Sequence, residues 1–319
     1  MILNWNPYHA VGDGKTFFTW TAVWAEECRR AQNIPITNPF ETPASIFADR
    51  VHVLNPKPPG AGKGGNLEDL RQYQVLTDPA KQLEKVLKRD GHVGQVFYFS
   101  KESLERLKQD AYPDGPTYIS TNDALSALAW RSIMAAQFPL DEIEGDPTSI
   151  FNMAVDGRYR IQPPVDPGTL GSFVLFIEMT MSLRKMLGTQ DLKELSALIR
   201  KAVIETNNYP GGFTNDAIAL IGKLQHVALL TPNAFLDSPG LSCSQTSWAK
   251  FELYGLEWGP LLGDRIQAIR SPSCGILNGM QIMMPTLPDG GREVLCGIEE
   301  RCLGRLLADP LWRKYAEPR

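Results

Sequence analysis

The chain has 319 residues, of which 43% are hydrophobic and 21% charged, with a formal net charge of −4. This composition is typical of a globular protein long enough for one large or two modest domains. The acidic balance argues against a nucleic-acid surface, and no apolar run approaches the roughly 20 residues that a membrane span needs.

Neither the N-terminus nor the cysteines indicate an exported protein. No charged segment followed by a long apolar one stands at the N-terminus, so no secretion signal is visible. The cysteines are odd in number and scattered, without a disulfide framework or a CxxC metal motif. They are Cys28, Cys243, Cys274, Cys296 and Cys302. A reduced, cytoplasmic compartment is the simplest interpretation.

The first thirty residues predict a strand, a glycine turn and a helix. A β-like run over residues 1–8 leads to His9, and a helix-period run over residues 15–30 leaves the turn. This order places His9 at the end of a strand, with Asp13 four residues later. Three aromatic side chains share one face of the predicted helix, and we expect them to form a core-packing stripe. They are Phe17, Trp20 and Trp24.

Helices and strands alternate irregularly over the rest of the chain. Residues 55–66 are rich in proline and glycine and predict a linker or crossover. Strands are expected over residues 92–99, 150–155, 171–181, 276–284 and 292–297. Helices are expected over residues 78–89, 100–110, 120–138, 191–206, 216–230 and 299–307. The irregular order indicates an α/β protein with mixed sheets and helices outside them.

Ser120 and Asp123 form the Ser-x-x-Asp pattern of a capping box at the start of one of these helices. The helix N-terminus offers free N–H groups and the positive end of the helix dipole. Ser120 and Thr121 are therefore candidates to bind a phosphate or a pantetheine oxygen. Capping alone is the simpler alternative for Ser120.

Among the histidines, only His9 stands beside a glycine turn with an acid at fixed spacing. The others are His52, His92 and His226. No two of them have a metal-ligand spacing, so no metal site is predicted. A single histidine acting as general base is the economical proposal, because its unperturbed pKa of about 6.5 suits proton transfer at neutral pH.

Such a base could deprotonate an alcohol or amine that then attacks a thioester. The tetrahedral oxyanion needs hydrogen-bond donors nearby. Thr246, Ser247 or the Trp248 indole could supply one if the fold brings them to His9.

Five ordered blocks resemble the BAHD acyl-CoA-dependent acyltransferases. The first is HAVGDG at residues 9–14, which is similar to the HxxxDG signature of that family. The others are STNDALSALAW (120–130), VDGRYRIQPP (155–164), Ser247–Trp248 followed by Leu253–Tyr254, and EWGPLLG (257–263). The C-terminal residues are similar to the fungal, trichothecene 3-O-acetyltransferase-like branch. Essentially the whole chain is covered.

The resemblance implies a chloramphenicol-acetyltransferase-like fold of two layers with the active site between them. Only eight residues precede His9, so we expect the N-terminal layer to be truncated. The implied division assigns 1–54 and about 257–285 to a remnant of that layer. It assigns 55–66 to the crossover linker, and 67–256 with 286–319 to the C-terminal domain.

The resemblance also implies roles for particular residues. His9 would be the general base, and Asp13 would be structural, held by Arg158 or Arg160. Glu257 would pair with the other arginine. Gly14 and Gly259 would be structural, and Ser172 would hydrogen-bond a ligand. Ser247 and Trp248 would serve catalysis.

The expected function is transfer of an acyl group, in particular acetyl, from acyl-CoA to a hydroxyl or amine of a secondary metabolite. Acyl-CoA would be a co-substrate, with no bound cofactor and no metal. The expected partners are this donor and a small-molecule acceptor, with no nucleic acid or membrane, and the protein would be a cytoplasmic monomer. The alternative is a truncated, non-catalytic fragment or pseudoenzyme of the same fold, and a third option is a thioester hydrolase.

Overall fold

The computed structural model describes residues 2–4, 9–40, 64–81, 91–236, 240–270 and 278–319. Its α-helices are α1 Gly14–Ala31, α2 Lys101–Asp110, α3 Thr121–Gln137, α4 Leu183–Leu187, α5 Lys193–Asn207, α6 Phe213–Lys223, α7 Asn233–Leu236, α8 Glu300–Ala308 and α9 Pro310–Arg313. Its strands are β1 Tyr73–Val75, β2 His92–Phe99, β3 Thr148–Asp156, β4 Val174–Ser182, β5 Leu230–Pro232, β6 Ser242–Ser247, β7 Glu257–Gly259, β8 Asp264–Arg265, β9 Met280–Thr286, β10 Arg292–Glu299 and β11 Glu317–Pro318.

Several predictions concern residues that lie partly or wholly outside the described ranges. Most of the predicted linker at 55–66, most of the helix predicted over 78–89, and Cys274 lie outside the described residues. Of the strand predicted over 1–8, residues 2–4 are described, and they are exposed and not in a strand.

A seven-stranded mixed sheet organises the described part of the chain. Its strand order is β11-β2-β10-β9-β6-β3-β4. The β3–β6 and β6–β9 pairs are parallel, and the other neighbours are antiparallel. Because β3 and β6 are parallel, their carboxyl ends meet at one edge, where β3 ends at Asp156 and β6 ends at Ser247. The mixed α/β class predicted from the sequence is confirmed.

Helix α3 lies in the main core, which is why nearly all of its side chains are buried. Trp130 stacks on Phe151 of β3 with ring centroids 5.0 Å apart, and its indole N–H donates to the Ser149 hydroxyl at 2.8 Å. Full burial of such side chains contributes roughly 1.5–3 kcal/mol each. Helix α3 runs antiparallel to β3, because Trp130 meets the start of that strand while Asn122 meets Met153 near its end. The N-terminus of α3 therefore lies at the same edge as the ends of β3 and β6.

The helix predicted over residues 216–230 is wrong in its second half. Helix α6 begins at Phe213 and ends at Lys223. The chain then passes through a short 3₁₀ turn, Val227–Leu229, into β5, which pairs with β1. His226 precedes that turn and is exposed. Strand pairing with β1 outweighs the local helical pattern here.

The aromatic stripe predicted to be the core face of α1 is also wrong. Phe17 and Trp20 are only half-buried, and Trp24 is 40% exposed. The buried side chains of α1 are small ones instead: Thr16, Thr19, Thr21, Ala22 and Ala25. Small side chains let this face approach neighbouring backbone closely, as the Thr16 hydroxyl does when it donates to the Gly171 carbonyl at 2.9 Å.

The division of the chain into two layers stays a prediction. Strand β9 crosses the proposed boundary at residue 285 and hydrogen-bonds to both β10 and β6. Among the described residues, no helix is long and apolar enough to cross a membrane.

Candidate active site

Asp13 is the N-cap of α1 and is almost fully buried. Its backbone is extended, and its Oδ1 accepts a hydrogen bond from the Thr16 N–H at 3.0 Å. Arg158, in the 3₁₀ turn that follows β3, reaches it with both terminal nitrogens. Nη1 donates to Oδ2 at 2.7 Å and Nη2 donates to Oδ1 at 3.0 Å. The Phe173 N–H also donates to Oδ2, at 2.9 Å. Both carboxylate oxygens are therefore occupied by donors other than His9.

The Arg158 guanidinium is bound on every side. Its Nε donates to the Thr169 carbonyl at 2.7 Å, and Nη2 donates to the Gly171 carbonyl at 3.0 Å. Its side chain is 1% exposed and lies over the Phe173 ring at 4.6 Å. A buried charge is tolerated only when it is paired and hydrogen-bonded in this way. Arg158 thus joins the start of α1 to the segment that leads into β4.

The electrostatics favour the ionised form of Asp13. Burial alone would raise the pKa of this carboxyl group. The hydrogen bond and positive charge of Arg158, together with the N–H groups of Phe173 and Thr16, outweigh burial and lower the pKa below its usual value. Asp13 is therefore a fixed anion at neutral pH, and its chemistry is that of a buttress.

His9 lies in the turn that precedes this buttress and is exposed. Its imidazole meets the Phe17 ring edge-on, with centroids 5.7 Å apart. Gly12, which lies between His9 and Phe17 in the sequence, is buried, and a Cβ there would lie 2.7 Å from the Thr16 methyl group. The glycine lets the turn pass close to the first turn of α1, which holds the imidazole near Phe17.

The other wall of the site comes from the segment after β6. Ser247 is exposed at the end of that strand, and the Trp248 N–H donates to the Met283 carbonyl at 2.8 Å. A Cβ at Gly14 would lie 2.8 Å from the Phe251 ring and 3.9 Å from Trp248 Cδ1. The fold therefore brings Trp248 close to the start of α1. His9 lies in the turn that precedes this helix.

Ser120 caps α3 as predicted, and its side chain is engaged in that cap. Its hydroxyl accepts from the Asp123 N–H at 3.2 Å, while Asp123 Oδ2 accepts from the Ser120 N–H at 2.6 Å. Arg200 of α5 adds an ion pair to the buried Asp123. Thr121 is half-buried beside it. At the same helix end, the Gln245 side chain of β6 donates to Asn122 at 3.5 Å, which ties α3 to the strand that ends at Ser247.

Tyr118, just before this cap, lies between two cations. Lys108 Nζ is 4.7 Å from the ring centroid and the Arg200 guanidinium carbon is 5.7 Å from it. The ring is 58% exposed. No sequence pattern singles out this group, because its members come from α2, the loop before α3, and α5.

Ser172 and Arg160 flank the buttress without joining it. Ser172 is exposed between Gly171 and Phe173, whose backbone groups bind Arg158 and Asp13. Arg160 Nη1 donates to the Asp156 carbonyl at 2.7 Å, and burial lowers the pKa of its guanidinium. Of the two arginines proposed to hold Asp13, Arg158 is the one that does so.

The expected pairing of Glu257 with the other arginine is wrong. Glu257 is in β7 and lies 3.4 Å from Arg29 and 3.1 Å from Arg265. Strand β7 packs at the C-terminal end of α1, roughly 24 Å along the helix from Asp13 at 1.5 Å per residue. Arg160 lies at the opposite end. Gly259 in the same strand has a φ of 81°, a left-handed conformation that favours glycine, and it packs closely against the Gln32 side chain.

Sequence reasoning missed the residues that act through their backbone or through simple proximity. They are Thr16, Thr169, Gly171, Phe173 and Phe251. A hydroxyl or a carbonyl far away in sequence carries no motif, so no pattern marked them. Within the described ranges, no group of three histidine, cysteine, aspartate or glutamate side chains could hold a metal ion.

Comparisons with known proteins identify a family and a fold. The Transferase family model matches residues 1–295. The protein claC of Penicillium crustosum, named an enoyl-CoA isomerase/hydratase, is 27% identical over 316 residues, which are 96% of this chain and 34% of that protein. Eremophilane O-acetyltransferase ORF8 of Penicillium roqueforti (strain FM164) is 28% identical over 233 residues, 70% of this chain and 46% of that protein. The chain spans less than half the length of these two relatives.

A solved structure has the same fold. TRI101 of F. sporotrichioides, in complex with coenzyme A and T-2, matches with a TM-score of 0.74 at 21% identity, over 97% of this chain and 65% of that one. At this identity the likeness shows the fold alone. It confirms the chloramphenicol-acetyltransferase-like fold that the sequence predicts.

Proposed function

The chain belongs to the Transferase family, that of the BAHD acyl-CoA-dependent acyltransferases, and on this premise we propose that it moves an acyl group from acyl-CoA to a hydroxyl or amine. His9 is the general base of this reaction. Ser247 and Trp248 lie on the side where the oxyanion develops. The acceptor is a small secondary metabolite.

The observation that carries the proposal is the buried Asp13–Arg158 pair. It fixes the first turn of α1, and therefore the turn that holds His9, with four hydrogen bonds to the two Asp13 oxygens. A general base must be held within hydrogen-bond reach of its substrate, and rigid support for it is part of catalysis. Since both oxygens of Asp13 are engaged elsewhere, Asp13 is a structural support and not a proton relay.

The reaction needs no metal and no bound cofactor. The imidazole of His9 takes the proton from the acceptor O–H or N–H as the acceptor attacks the thioester carbonyl. The tetrahedral oxyanion is stabilised by donors at the end of β6, and it collapses to the acylated product with loss of the CoA thiolate. The imidazolium then returns its proton to that thiolate, so the base is regenerated.

The donor site lies at the N-terminus of α3. That helix is 17 residues long, and its N-terminus faces the edge where β3 and β6 end. Ser120 already accepts from the Asp123 N–H, so the N–H groups of Thr121 and Asn122, with the positive dipole end, are those that favour anionic or carbonyl oxygen atoms. Lys108 and Arg200 lie beside Tyr118 at the same end. This combination supports acyl-CoA as the donor, with Ser120, Thr121 and Ser172 among the contacting residues.

We propose acetyl as the acyl group, because the relative ORF8 is named an O-acetyltransferase. The free thiols of Cys28, Cys243, Cys296 and Cys302 are consistent with a reducing, cytoplasmic setting. We propose a monomer, which light scattering would test.

The direct test is acceptor-dependent release of free thiol from acetyl-CoA, with a panel of hydroxylated terpenoids and amines, and mass spectrometry of the product. The wild-type protein should acylate at least one acceptor, and His9→Ala should abolish this transfer. Undiminished transfer by His9→Ala would refute the mechanism. Binding of acetyl-CoA without any transfer would favour the non-catalytic alternative, and thiol release without an acceptor would favour thioester hydrolysis, for which the exposure of His9 provides access to water.

A further inference from the structure

A buried carboxylate outside the candidate site is held by two arginines. Glu293 of β10 is 1% exposed. Arg270 donates to both of its oxygens, from Nη1 to Oε2 at 2.6 Å and from Nη2 to Oε1 at 3.0 Å. Arg319 donates from Nη1 to Oε1 at 2.9 Å. Both arginine side chains are partly exposed, at 48% and 42%.

The surroundings of Glu293 make this pairing obligatory. Its face of the sheet carries an apolar cluster, in which Ile282, Met284 and Leu295 are buried together. A carboxylate in such a place is tolerated only when its charge is matched and its oxygens are hydrogen-bonded. Bidentate arginine bonds also fix geometry, because the planar guanidinium fits the carboxylate in one orientation.

Arg270 is part of a loop, residues 266–270, which its ion pair with Glu293 holds in place. Arg319 holds no such loop. Next to Arg270, the Ile269 N–H donates to the Tyr254 hydroxyl at 3.3 Å. The Ile269 side chain packs with Trp248 against the apolar cluster of Ile282 and Leu295. Arg319, in contrast, is tied to β2, through the Val96 carbonyl at 2.9 Å and the Tyr98 ring at 3.8 Å.

Trp248 passes this support on to the candidate site. The Phe251 N–H donates to the Trp248 carbonyl at 2.9 Å, and the Phe251 ring stacks on Phe18 of α1 with centroids 5.6 Å apart. Phe251 and Trp248 also close on Gly14, at the start of α1. Glu293, through Arg270 and Ile269, is therefore linked to the apolar cluster of Ile282, Met284 and Leu295, against which Trp248 of the wall that faces the His9 turn also packs.

We propose that the Glu293–Arg270 pair is a positioning device, which holds Ile269 on the apolar cluster that also supports Trp248 and so sets the spacing between the Ser247–Trp248 wall and the turn that carries His9. This inference rests on the proposed acyl transfer. Its physical basis is that a displacement of about 1 Å between reacting groups can cost up to about 100-fold in rate. In this proposal Glu293, Arg270 and Ile269 do not touch substrate, so the expected effect of replacing them is on geometry.

The two arginines supply a matched pair of variants. Both Arg270→Ala and Arg319→Ala remove one guanidinium from Glu293. Only Arg270→Ala also frees the loop that contains Ile269. Arg270→Ala should lower kcat about tenfold, with KM for acetyl-CoA changed by no more than about twofold, because ground-state binding of the donor is untouched. Arg319→Ala should leave kcat within about twofold of the wild type. Arg270→Lys should recover part of the loss.

Hydrogen–deuterium exchange of the same proteins gives a readout that does not depend on acyl transfer. Arg270→Ala should speed exchange at Ile269, around Trp248 and in the first turn of α1, whereas Arg319→Ala should speed it only near β2 and β11. This arm decides the positioning inference even if the wild type transfers no acyl group, an outcome that would instead defeat the proposed function.

Equal kcat values and equal exchange around Trp248 in the two alanine variants would overturn the proposal. Should Arg270→Ala fail to fold, Ile269→Ala decides, because it removes the packing of Ile269 on the cluster that supports Trp248 and leaves the charges intact. Ile269→Ala should lower kcat severalfold at unchanged KM and speed exchange around Trp248. A wild-type kcat and wild-type exchange in Ile269→Ala would overturn the proposal equally.

Discussion

Replacing Asp13 with alanine should destabilise the protein strongly, because the change leaves the Arg158 guanidinium buried without its counter-charge. The Arg158 side chain is 1% exposed and donates to both Asp13 oxygens, at 2.7 and 3.0 Å. Removing one partner of a buried, hydrogen-bonded ion pair typically costs about 3–5 kcal/mol. Loss of an N-cap costs about 1 kcal/mol more. The two costs overlap, because both come from the loss of one carboxylate, and they do not add in full. We therefore expect the free energy of unfolding to fall by about 4 kcal/mol in total.

Urea unfolding followed by far-UV circular dichroism measures this loss, and Asp156→Ala is the matched control. Asp156 also accepts from Arg158 Nη1, at 3.0 Å, but its side chain is 32% exposed. Partial exposure lets water replace the lost partner, so this control should lose no more than about 1 kcal/mol. Equal losses in the two variants, or a loss below about 1 kcal/mol in Asp13→Ala, would refute the reasoning.

The difference in unfolding free energy between the wild type and Asp13→Ala should change with pH in a definite direction. The pKa of Asp13 is lowered in the folded protein, relative to its value of about 3.9 in an unfolded chain. The carboxylate therefore contributes its full stabilisation above the unfolded pKa, and the contribution is lost as the pH falls through the folded pKa. The stability gap between wild type and Asp13→Ala should stay constant from about pH 7 to about 5 and shrink below about pH 4. A gap that grows on acidification would contradict this assignment.

Three further changes test the packing and the caps, and a fourth tests a surface ion pair. Gly14→Ala places a methyl group 2.8 Å from the Phe251 ring, so thermal or urea unfolding should show a loss of about 1–3 kcal/mol. Gly222→Ala meets open space and should be neutral or gain up to about 1 kcal/mol in the same assay, because alanine favours helix. Ser120→Ala should cost about 1 kcal/mol as a cap, and an additional rise in KM for acetyl-CoA would separate donor binding from capping. Glu257→Gln should cost less than about 1 kcal/mol, and the difference should shrink at high salt, because the Glu257 side chain is 47% exposed.

Periodicity and capping predicted most elements because the forces that set them are local. Ser120 caps α3 through a bond to a backbone N–H three residues away, so the pattern in the sequence is the contact itself. Strand β2 lies where its apolar run predicts, with Phe97 and Phe99 buried in the core and Tyr98 between them only partly buried.

The aromatic stripe of α1 shows where local pattern fails. Helical spacing says that Phe17, Trp20 and Trp24 share a face, but it does not say which face the rest of the chain covers. The covered side is the one with Thr19, Ala22 and Ala25, whose small side chains allow close approach to neighbouring parts of the chain.

The candidate site likewise has features that the sequence predicts and features that only the folded structure shows. The family resemblance narrows the partner of Asp13 to Arg158 or Arg160. Choosing between them requires three dimensions, because Arg158 is fixed by the Thr169 and Gly171 carbonyls, which no motif marks. The resemblance also pairs Glu257 with the remaining arginine, whereas its neighbours are set by the packing of β7 on the far end of α1.

The proposed mechanism depends most on His9 as the general base, and one measurement addresses it directly. His9→Ala is compared with the wild type for acceptor-dependent release of CoA thiol at saturating acetyl-CoA, after calorimetry has established that the two proteins bind acetyl-CoA with similar Kd. Loss of a general base should lower kcat by about 10²- to 10⁴-fold. A His9→Ala protein that binds acetyl-CoA normally and turns over at the wild-type rate would contradict the central claim.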